Sequence, residues 1–269
     1  MSSSKEYQKL WLRIPDLEMF EVKGVPIPFS PSWQRICVNL SGGADSALLM
    51  ALLCDMIKDA GYQTKVDAIS LNRCWSNRPW QSFIAKEVFK KIKSMFPTIV
   101  ENQHTCFLAP ELEHSVIGFI TADKETTSAV TAASFNDFHC FYNPDVAVVF
   151  HGRTKNSSQL DNHPFRMEFR DEPILHETVE KLKHSEAYVI RPFIEIEKDW
   201  IIEQYMKNEW ESLLKTTRSC EANIEKFYKG WRFKADEPIP ECGECYWCAE
   251  RKWAIEKVVD KYNHGQDRL

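Results

Sequence analysis

ICVNLSGGADSALLMALL, which spans residues 36–53, combines three structural signals in one stretch of the chain. The apolar run 36–40 predicts a β-strand, two glycines predict a tight turn, and the run 45–60 predicts an α-helix that Gly61 ends. A turn between a strand and a helix points backbone N–H groups and the positive end of the helix dipole at an anion. The stretch therefore predicts a phosphate-binding loop, for which ATP is the expected ligand.

The residue types in this loop suit phosphate oxygens. Two glycines let the backbone approach the phosphates, two serine hydroxyls are available as donors, and the Asp45 carboxylate is placed to orient a magnesium ion or the loop itself. The lysine of the Walker pattern is absent from the loop. A plain strand-to-helix turn without a ligand is the structural alternative. The predicted nucleotide-binding residues of the loop are Ser41, Gly42, Gly43, Ala44, Asp45 and Ser46.

Four cysteines towards the other end of the chain have the spacing of a metal site. Three of them form a C-x-x-C-x-x-C pattern, and four thiolates are enough to close a tetrahedral zinc site that stabilises an irregular segment. An iron–sulfur cluster suits the same spacing and is the rival of zinc, and four unconnected buried cysteines are the structural alternative. The predicted ligands are Cys220, Cys242, Cys245 and Cys248.

Candidate strands and helices alternate along the chain. Strands are predicted at 36–40, 66–71, 98–100 and 146–150, and helices at 45–60, 81–95 and 249–262. This alternation predicts an α/β fold with an open parallel sheet and helices on both faces. We expect an N-terminal extension at 1–35 with edge strands near 11–15 and 25–29, an ATP-binding core at 36–200, and a C-terminal helical lobe with the metal site at 201–269.

Polar residues follow the carboxyl ends of the predicted strands, where open α/β sheets bind their ligands. Asn72 follows the second strand, and Gly152, Arg153 and Lys155 follow the strand at 146–150. We predict that Asn72, Gly152 and Lys155 contact the nucleotide, with the Gly152 backbone close to the adenine or ribose. Arg153 and Lys155 have the charge to bind a phosphate or an acceptor carboxylate, although a basic surface loop explains them equally well.

Composition favours a compact soluble enzyme with a small-molecule substrate. The chain has 269 residues, of which 43% are hydrophobic and 27% are charged, and its net charge is −5. Because no long basic tract is visible, stable binding to duplex nucleic acid is not expected. The sequence shows no apolar signal region and no segment with the length of a membrane span, so we expect the nine cysteines to stay reduced in the cytoplasm.

The loop and the cysteines together resemble one enzyme family. SGGADS is similar to the PP-loop of the ATP pyrophosphatases, which have a HUP-like (adenine nucleotide alpha hydrolase-like) α/β fold. Its combination with SC at 219–220, CGECYWC at 242–248 and the helix residues ERK at 250–252 resembles the 7-cyano-7-deazaguanine synthases. RPFIEIEKDWII at 191–202 resembles the strand-end proline of that family and its lysine that opens a helix.

This resemblance implies an ATP-dependent ligase that acts on a deazapurine. In the family, AMP is transferred to the carboxylate of 7-carboxy-7-deazaguanine, ammonia displaces the AMP to form an amide, and a second ATP is used to convert the amide to the nitrile. The implied catalytic residues are Asp45, Lys198 and Arg153, the two cations offsetting charge on the departing pyrophosphate. A solvated charge at a helix start is the alternative for Lys198.

The resemblance also implies the cofactors and partners. ATP, magnesium and zinc are the expected cofactors, and a homodimer is expected because family members form one. No glutaminase signature is visible, so ammonia is expected to come from solution or from a partner. No membrane partner is expected.

The middle of the chain departs from the family pattern. The segments 128–136 and 162–169 stand where the family carries its substrate-binding motifs, and the second keeps only a proline, an arginine and a Glu-Phe pair. Three alternatives stay open for this reason. The first is a relative that stops at the amide or conjugates the deazaguanine to DNA or protein in a phage or anti-phage pathway. The second is a PP-loop tRNA sulfur transferase with an iron–sulfur cluster. The third is a non-catalytic or repurposed relative that acts as a module in a nucleic-acid or protein modification pathway and binds ATP without turnover on the free base.

Overall fold

The computed structural model describes residues 14, 16–72, 80–107, 136, 139–163, 179–182, 185–220 and 241–265. Its strands are β1 (Glu18–Val22), β2 (Val25–Phe29), β3 (Arg35–Asn39), β4 (Lys65–Asn72), β5 (Val100–Phe107), β6 (Val146–His151), β7 (Val179–Lys181) and β8 (Tyr188–Ile190). Its helices are α1 (Ala44–Ala60), α2 (Gln81–Met95), α3 (Lys198–Lys207), α4 (Glu211–Thr216) and α5 (Tyr246–Gly265), with a short 3-10 turn at Ser158–Leu160.

Six strands form the central sheet in the order β5-β4-β3-β6-β8-β7. The first five of these are parallel, and β7 pairs antiparallel with β8 at one edge. The predicted α/β class with an open parallel sheet is therefore confirmed. Three of the four predicted strands are present in the sheet at about the predicted positions. The predicted strand at 98–100 is wrong except for Val100, because residues 98 and 99 form a turn and β5 begins at Val100, where it pairs with the long β4. The short strands β7 and β8 were not predicted.

The sheet separates two layers. In β3, Ile36 and Val38 point into a large core that also holds apolar residues of all five helices. Cys37 alternates to the opposite face and packs in a smaller cluster with Cys140. Cys140 lies in the helical residues 139–142, so helices cover both faces as predicted.

The chain direction reverses across the sheet between β3 and β6. From β3 the chain steps outward through β4 to β5, and it then returns to place β6 on the other side of β3. A crevice opens outside the carboxyl ends of two neighbouring strands at such a switch point, because their connections leave in opposite directions. The loop after β3 and the residues after β6 both lie at this crevice.

The ends of the chain differ in detail from the expectation. β2 matches the predicted strand at 25–29 and forms an antiparallel hairpin with β1, whereas the predicted strand at 11–15 lies, apart from Ile14, outside the described residues. Helix α5 begins at Tyr246, three residues before the predicted start. Among the described helices, none is both long enough and apolar enough to cross a membrane.

Candidate active site

The loop between β3 and α1 is closed by its own serines. The Ser41 and Ser46 hydroxyl oxygens lie 3.1 Å apart, the Gly43 N–H donates to Ser41 Oγ at 3.3 Å, and Ser46 Oγ donates to the Gly43 carbonyl at 3.2 Å. Ala44 begins a helix of 17 residues directly after the loop. The first backbone N–H groups of α1 and the two hydroxyls are thus gathered at one helix N-terminus, as an anion site requires.

Gly42 fixes the path of the loop. Its φ is +81°, in the left-handed region that favours glycine, and a Cβ here would lie 2.8 Å from Ile84 Cγ2 and from the Ala85 backbone nitrogen of α2. The Gly42 carbonyl accepts a hydrogen bond of 3.0 Å from the Arg218 N–H. Gly42 therefore seats the loop between α2 and the segment that leads to the first cysteine of the cluster.

Gly152 lets β6 approach the same loop. A Cβ at this position would lie 2.8 Å from both Cα and N of Ser46 and 2.9 Å from the carbonyl carbon of Asp45. The close approach that the sequence predicted at Gly152 is therefore made, in the described residues, to the backbone of the loop and the start of α1. Contact of Gly152 with adenine or ribose stays a prediction.

A buried lysine lies beneath the loop. Lys198, the first residue of α3, is 1% exposed, and its Nζ donates to Asp45 Oδ1 at 2.6 Å and lies 3.6 Å from Glu250 Oε2. Glu250 is fully buried, whereas the Asp45 side chain keeps 16% of its surface exposed. The structure thus places Lys198 in a buried ion cluster. The alternative interpretation, that Lys198 is a solvent-exposed charge at a helix start, is therefore excluded.

A second residue of α3 supports the same helix start. The Tyr205 hydroxyl donates to the Ala44 carbonyl at 2.7 Å, and the Tyr205 side chain is fully buried, which raises its pKa well above the usual value. Tyr205 was not predicted as a site residue. It stands seven residues after Lys198, two helical turns further along the same face of α3, so helical spacing was the signal that identifies it.

The four predicted cysteines come together in the structure. Their sulfur atoms all lie within 4.8 Å of one another, and the Cys242 and Cys248 sulfurs are 3.9 Å apart. The Cys242 N–H donates to Cys220 Sγ and the Cys245 N–H donates to Cys242 Sγ, both at 3.3 Å. Hydrogen bonds with Cys220 and then Cys248 lower the pKa of Cys245, whereas hydrogen bonds with Cys220 and then Cys245 raise the pKa of Cys248.

The spacing of the sulfurs fits a single metal ion. A tetrahedral zinc with Zn–S bonds of about 2.3 Å places its sulfur ligands about 3.8 Å apart. In a four-iron cluster each cysteine binds a different iron, so the ligating sulfurs stand further apart than around one ion. The structure thus brings the four cysteines together as a metal-binding cluster, and their sulfur distances are compatible with zinc.

The cysteine cluster is tied to the loop by buried hydrogen bonds. Arg251, three residues after Cys248, donates to Thr217 Oγ1 at 2.8 Å and to the Leu214 carbonyl at 3.0 Å. Thr217 directly precedes Arg218, whose N–H binds the loop at Gly42. A metal ion held by the four cysteines would therefore stabilise the residues that support the loop after β3.

The residues after β6 bring positive charge to the crevice. Arg153 is half-buried and Lys155 is exposed, and the Lys155 N–H donates to the Ile196 carbonyl at 2.9 Å, which anchors this segment just before α3. His151 ends β6, and burial together with the charges of Arg191 and Arg153 lowers its pKa to about 3. Asn72 is the last residue of β4. His151 and Arg191 were not predicted.

Comparisons with known proteins give distant structural likeness. No protein-family model and no curated protein sequence matches the chain. The chain is similar to the U34-tRNA thiolase NcsA from Methanococcus maripaludis with its 4Fe–4S cluster, with 13% identity over 87% of this chain and 72% of that chain and a TM-score of 0.46.

Two further similar structures are NAD+ synthetases. The enzyme from Burkholderia pseudomallei is 10% identical over 88% of this chain and 83% of that chain, with a TM-score of 0.39. The glutamine-dependent enzyme from Acinetobacter baumannii, in complex with adenosine diphosphate, is 13% identical over 89% of this chain and 42% of that chain, with a TM-score of 0.41. Likeness at this level carries no inference about activity. The class is defined by the sheet and loop themselves, an α/β fold with a helix N-terminus at the switch point.

Proposed function

We propose that this chain is an ATP-dependent ligase of the PP-loop type that adenylates the carboxylate of 7-carboxy-7-deazaguanine. The observation that carries the proposal is the assembly of three features at one point of the fold. The serine and glycine loop directly precedes α1, and Lys198 binds Asp45 beneath this loop. The segment that leads to the cysteine cluster binds the loop at the Gly42 carbonyl. The same three features carry the resemblance to the 7-cyano-7-deazaguanine synthases.

The loop binds the phosphates of ATP in this proposal. The N–H groups at the start of α1 and the hydroxyls of Ser41 and Ser46 donate to phosphate oxygens, and the helix dipole adds positive potential. Asp45 supplies a carboxylate at the same place, a ligand type that magnesium prefers, and magnesium would supply charge neutralisation to the phosphates. Lys198 holds this carboxylate in position through its hydrogen bond.

The reaction proceeds by two displacements. A carboxylate oxygen of the acceptor attacks the α-phosphorus of ATP, and the bond to the bridging oxygen breaks as pyrophosphate leaves. Ammonia then attacks the acyl carbon, loses a proton, and expels AMP together with the former carboxylate oxygen. Arg153 lies on the crevice side after β6 and offsets charge that develops on the phosphates, which is a task for positioned cations.

A second round gives the nitrile. The amide oxygen attacks the α-phosphorus of another ATP, pyrophosphate leaves, and the amide nitrogen loses two protons as AMP departs with the oxygen. Both rounds use the same loop and an acceptor in the same place. The cysteine cluster acts structurally, because four thiolate ligands leave zinc no open position.

The proposal is tested by incubating the protein with magnesium-ATP, ammonium and 7-carboxy-7-deazaguanine and following nucleotides and deazapurine by mass spectrometry. We expect AMP and the nitrile, with no ADP. Asp45→Asn is expected to reduce AMP formation, whereas Asp59→Asn, at the exposed end of the same helix, serves as the matched control. Accumulation of the amide would assign the chain to a relative that stops there. Absence of AMP would overturn the proposal.

The rival sulfur transferase makes a different prediction. It requires an iron–sulfur cluster, so anaerobically purified protein would be brown and would absorb visible light. The mutual distances of the four cysteine sulfurs favour one metal ion, and we expect a colourless protein that contains zinc. Iron and acid-labile sulfide in metal analysis would favour the transferase.

A further inference from the structure

A row of polar side chains crosses the switch point on the second face of the sheet. Asn39, the last residue of β3, is in register with His151, the last residue of β6. Phe150 is in register with Ile190 of β8, so His151 and Arg191 are the next pair along these parallel strands. Three polar residues from three neighbouring strand ends therefore stand side by side.

The alternation of the strands places all three on the same face. Val38, Phe150 and Ile190, each one residue earlier, lie in the large core on the first face. Cys37, Val149 and Val189, each two residues earlier, lie in the small cluster on the second face. Because successive side chains of a strand alternate, Asn39, His151 and Arg191 continue the second face beyond its apolar cluster.

The row has the donors and acceptors to bind a flat polar ring. The Asn39 amide donates to Asn136 Oδ1 at 3.3 Å, and Asn136 is 4% exposed. The buried Asn136 amide therefore holds the Asn39 side chain in place. His151 is neutral at physiological pH because burial and the charges of Arg191 and Arg153 disfavour its protonation. A neutral imidazole offers one hydrogen-bond donor and one acceptor. It can therefore pair with the edge of a nitrogen heterocycle, which also carries both donors and acceptors.

The same row also carries positive charge that can bind a carboxylate. The guanidinium of Arg191 lies close enough to the imidazole to lower the pKa of His151, and the charge of Arg153 acts in the same direction. A guanidinium pairs with a carboxylate through two parallel hydrogen bonds, which fixes both position and orientation. The carboxylate of a bound acid would thus be held at the end of β6 and β8.

The row is close to the phosphate loop. Ser41 follows Asn39 by two residues, a distance of about 7 Å along an extended chain. A molecule seated on the row therefore reaches the loop from the second face, whereas α1 with its N-terminal donors lies on the first face. This places an acceptor and a nucleotide on opposite sides of the switch point.

We propose that Asn39, Asn136, His151 and Arg191 form the acceptor subsite, which binds a planar nitrogen heterocycle through its polar edge and its carboxylate through Arg191. This inference deepens the proposed function and rests on it for the identity of the acid. It assigns acceptor recognition to Asn39 and His151, which lie outside the family motifs, together with Asn136 at the end of segment 128–136 and Arg191 at the start of segment 191–202.

The test uses the histidine resonances of the complete protein. Protein labelled with nitrogen-15 in histidine is titrated with 7-carboxy-7-deazaguanine in the absence of ATP, and the His151 ring signals are assigned with His151→Gln. We expect these signals to shift saturably, and guanine, which lacks the carboxylate, to bind at least about 10-fold more weakly, as loss of one charged pair predicts. No shift at a ligand concentration that binds the protein would overturn the inference.

Variants separate acceptor binding from nucleotide binding. Arg191→Gln and Asn39→Ala are expected to raise KM for the acid by at least about 10-fold while the affinity for ATP changes less than about 2-fold. Lys90→Gln, on the exposed surface of α2, is the matched control for loss of a cation. If AMP forms from this acid and KM is unchanged in both variants, the subsite assignment is wrong while the proposed function stands.

The remaining outcomes distinguish failure of the subsite assignment from failure of the proposed reaction. If the acid shifts the His151 signals and Arg191→Gln abolishes the shift, but no AMP forms with ATP, the subsite stands and the proposed reaction fails. If the acid neither binds nor supports AMP formation, both are overturned. Because the titration is made on unmodified protein, a variant that fails to fold does not remove the test.

Discussion

The two ends of the parallel strands differ in how they use charge. We call the side where the strands begin the amino edge of the sheet and the side where they end its carboxyl edge. At the amino edge, Arg35 of β3 binds Asp67 at 2.7 Å, Asp145 at 2.7 Å and Glu101 at 2.9 Å, so one cation is surrounded by three carboxylates from neighbouring strands and loops. At the carboxyl edge, Lys198 is buried beneath the loop between Asp45 and Glu250, and the charges of Arg153 and Arg191 act on His151.

This contrast separates charges that join strands from charges that serve a ligand. The Arg35 network is complete without another molecule, since its contacts are to acidic side chains of two neighbouring strands and of the turn before β6. The carboxyl edge carries the backbone donors at the start of α1 and the cations Arg153 and Arg191, which an anionic nucleotide and an acid would complement. Function is therefore expected at one edge and stability alone at the other.

Removal of the metal is expected to have the most severe consequence. Structural zinc contributes about 10 kcal/mol or more to the folding of small zinc domains, so Cys220→Ser is expected to lose zinc and much of the cooperative unfolding transition. Cys54→Ala, at a buried cysteine outside the cluster, is the control and should keep its zinc. Metal analysis and thermal unfolding of both variants measure the difference.

Amide hydrogen exchange shows which parts of the chain lose stability when the metal is removed. After chelation, amides of the loop and of residues 217–220 should exchange faster, because Arg218 links the cysteines to Gly42. Amides of the Arg35 network should change little. Equal protection loss at both edges would contradict the assignment of the cluster to the carboxyl edge.

Loss of Lys198 is expected to cost both stability and activity. Lys198→Met leaves the buried Glu250 and the largely buried Asp45 without their shared cation, which costs about 3–5 kcal/mol. Lys207→Met removes an exposed lysine of the same helix and controls for the change in charge. Urea unfolding and AMP formation are the measurements.

Arg35→Met provides the comparison at the amino edge. It leaves the buried Asp67 with fewer partners and is expected to cost about 1–3 kcal/mol. At a temperature where the variant is folded, its KM for ATP should equal that of the unmodified protein. An altered KM for ATP would show that the amino edge is not purely structural.

Crowding at the switch point is expected to reduce turnover more than stability. Gly152→Ala places a methyl group 2.8 Å from the Ser46 backbone, a clash that costs about 1–3 kcal/mol and displaces the loop. A displacement of about 1 Å in an active site lowers rates by about 100-fold. Gly61→Ala meets no atom within 4 Å and should affect only stability. Steady-state AMP formation with parallel unfolding measurements separates the two effects.

The smallest expected effect is a loss of stability in mild acid. Burial, and then the charge of His104, lowers the pKa of His139 below its ordinary value of 6.5. The unfolded chain therefore binds this proton more readily, and the stability that the neutral ring contributes is present above pH 6.5 and is lost as pH falls below it. His139→Gln should flatten this dependence in urea unfolding at pH 5 and pH 7, and an unchanged slope would contradict the assignment.

Local patterns in the sequence predicted the carboxyl edge well and the amino edge poorly. The loop and the cysteines depend on short spacings, so SGGADS and C-x-x-C-x-x-C identified the helix N-terminus and the cluster that the structure contains. The lysine at 198 was identified by resemblance, but its burial against Asp45 depends on a contact between residues 153 positions apart. No local pattern carries such information.

The residues that were missed depend on strand register. Asn39, His151 and Arg191 are far apart in the chain and become neighbours only because β3, β6 and β8 are adjacent and parallel. The order of the strands and the short β8 were not available from periodicity, since a strand of three residues has no clear alternation. Arg35 was missed for the same reason, because its three partners come from separate elements.

Oxygen transfer from the acid to AMP tests the central claim most directly. 7-Carboxy-7-deazaguanine labelled with oxygen-18 in its carboxylate is incubated with the protein, magnesium-ATP and ammonium, and the AMP is analysed by phosphorus-31 NMR. Adenylation at the carboxyl edge predicts that each AMP carries one labelled oxygen on its phosphorus, because the carboxylate oxygen leaves with the phosphate. Unlabelled AMP, or ADP with inorganic phosphate, would contradict adenylation of this acid.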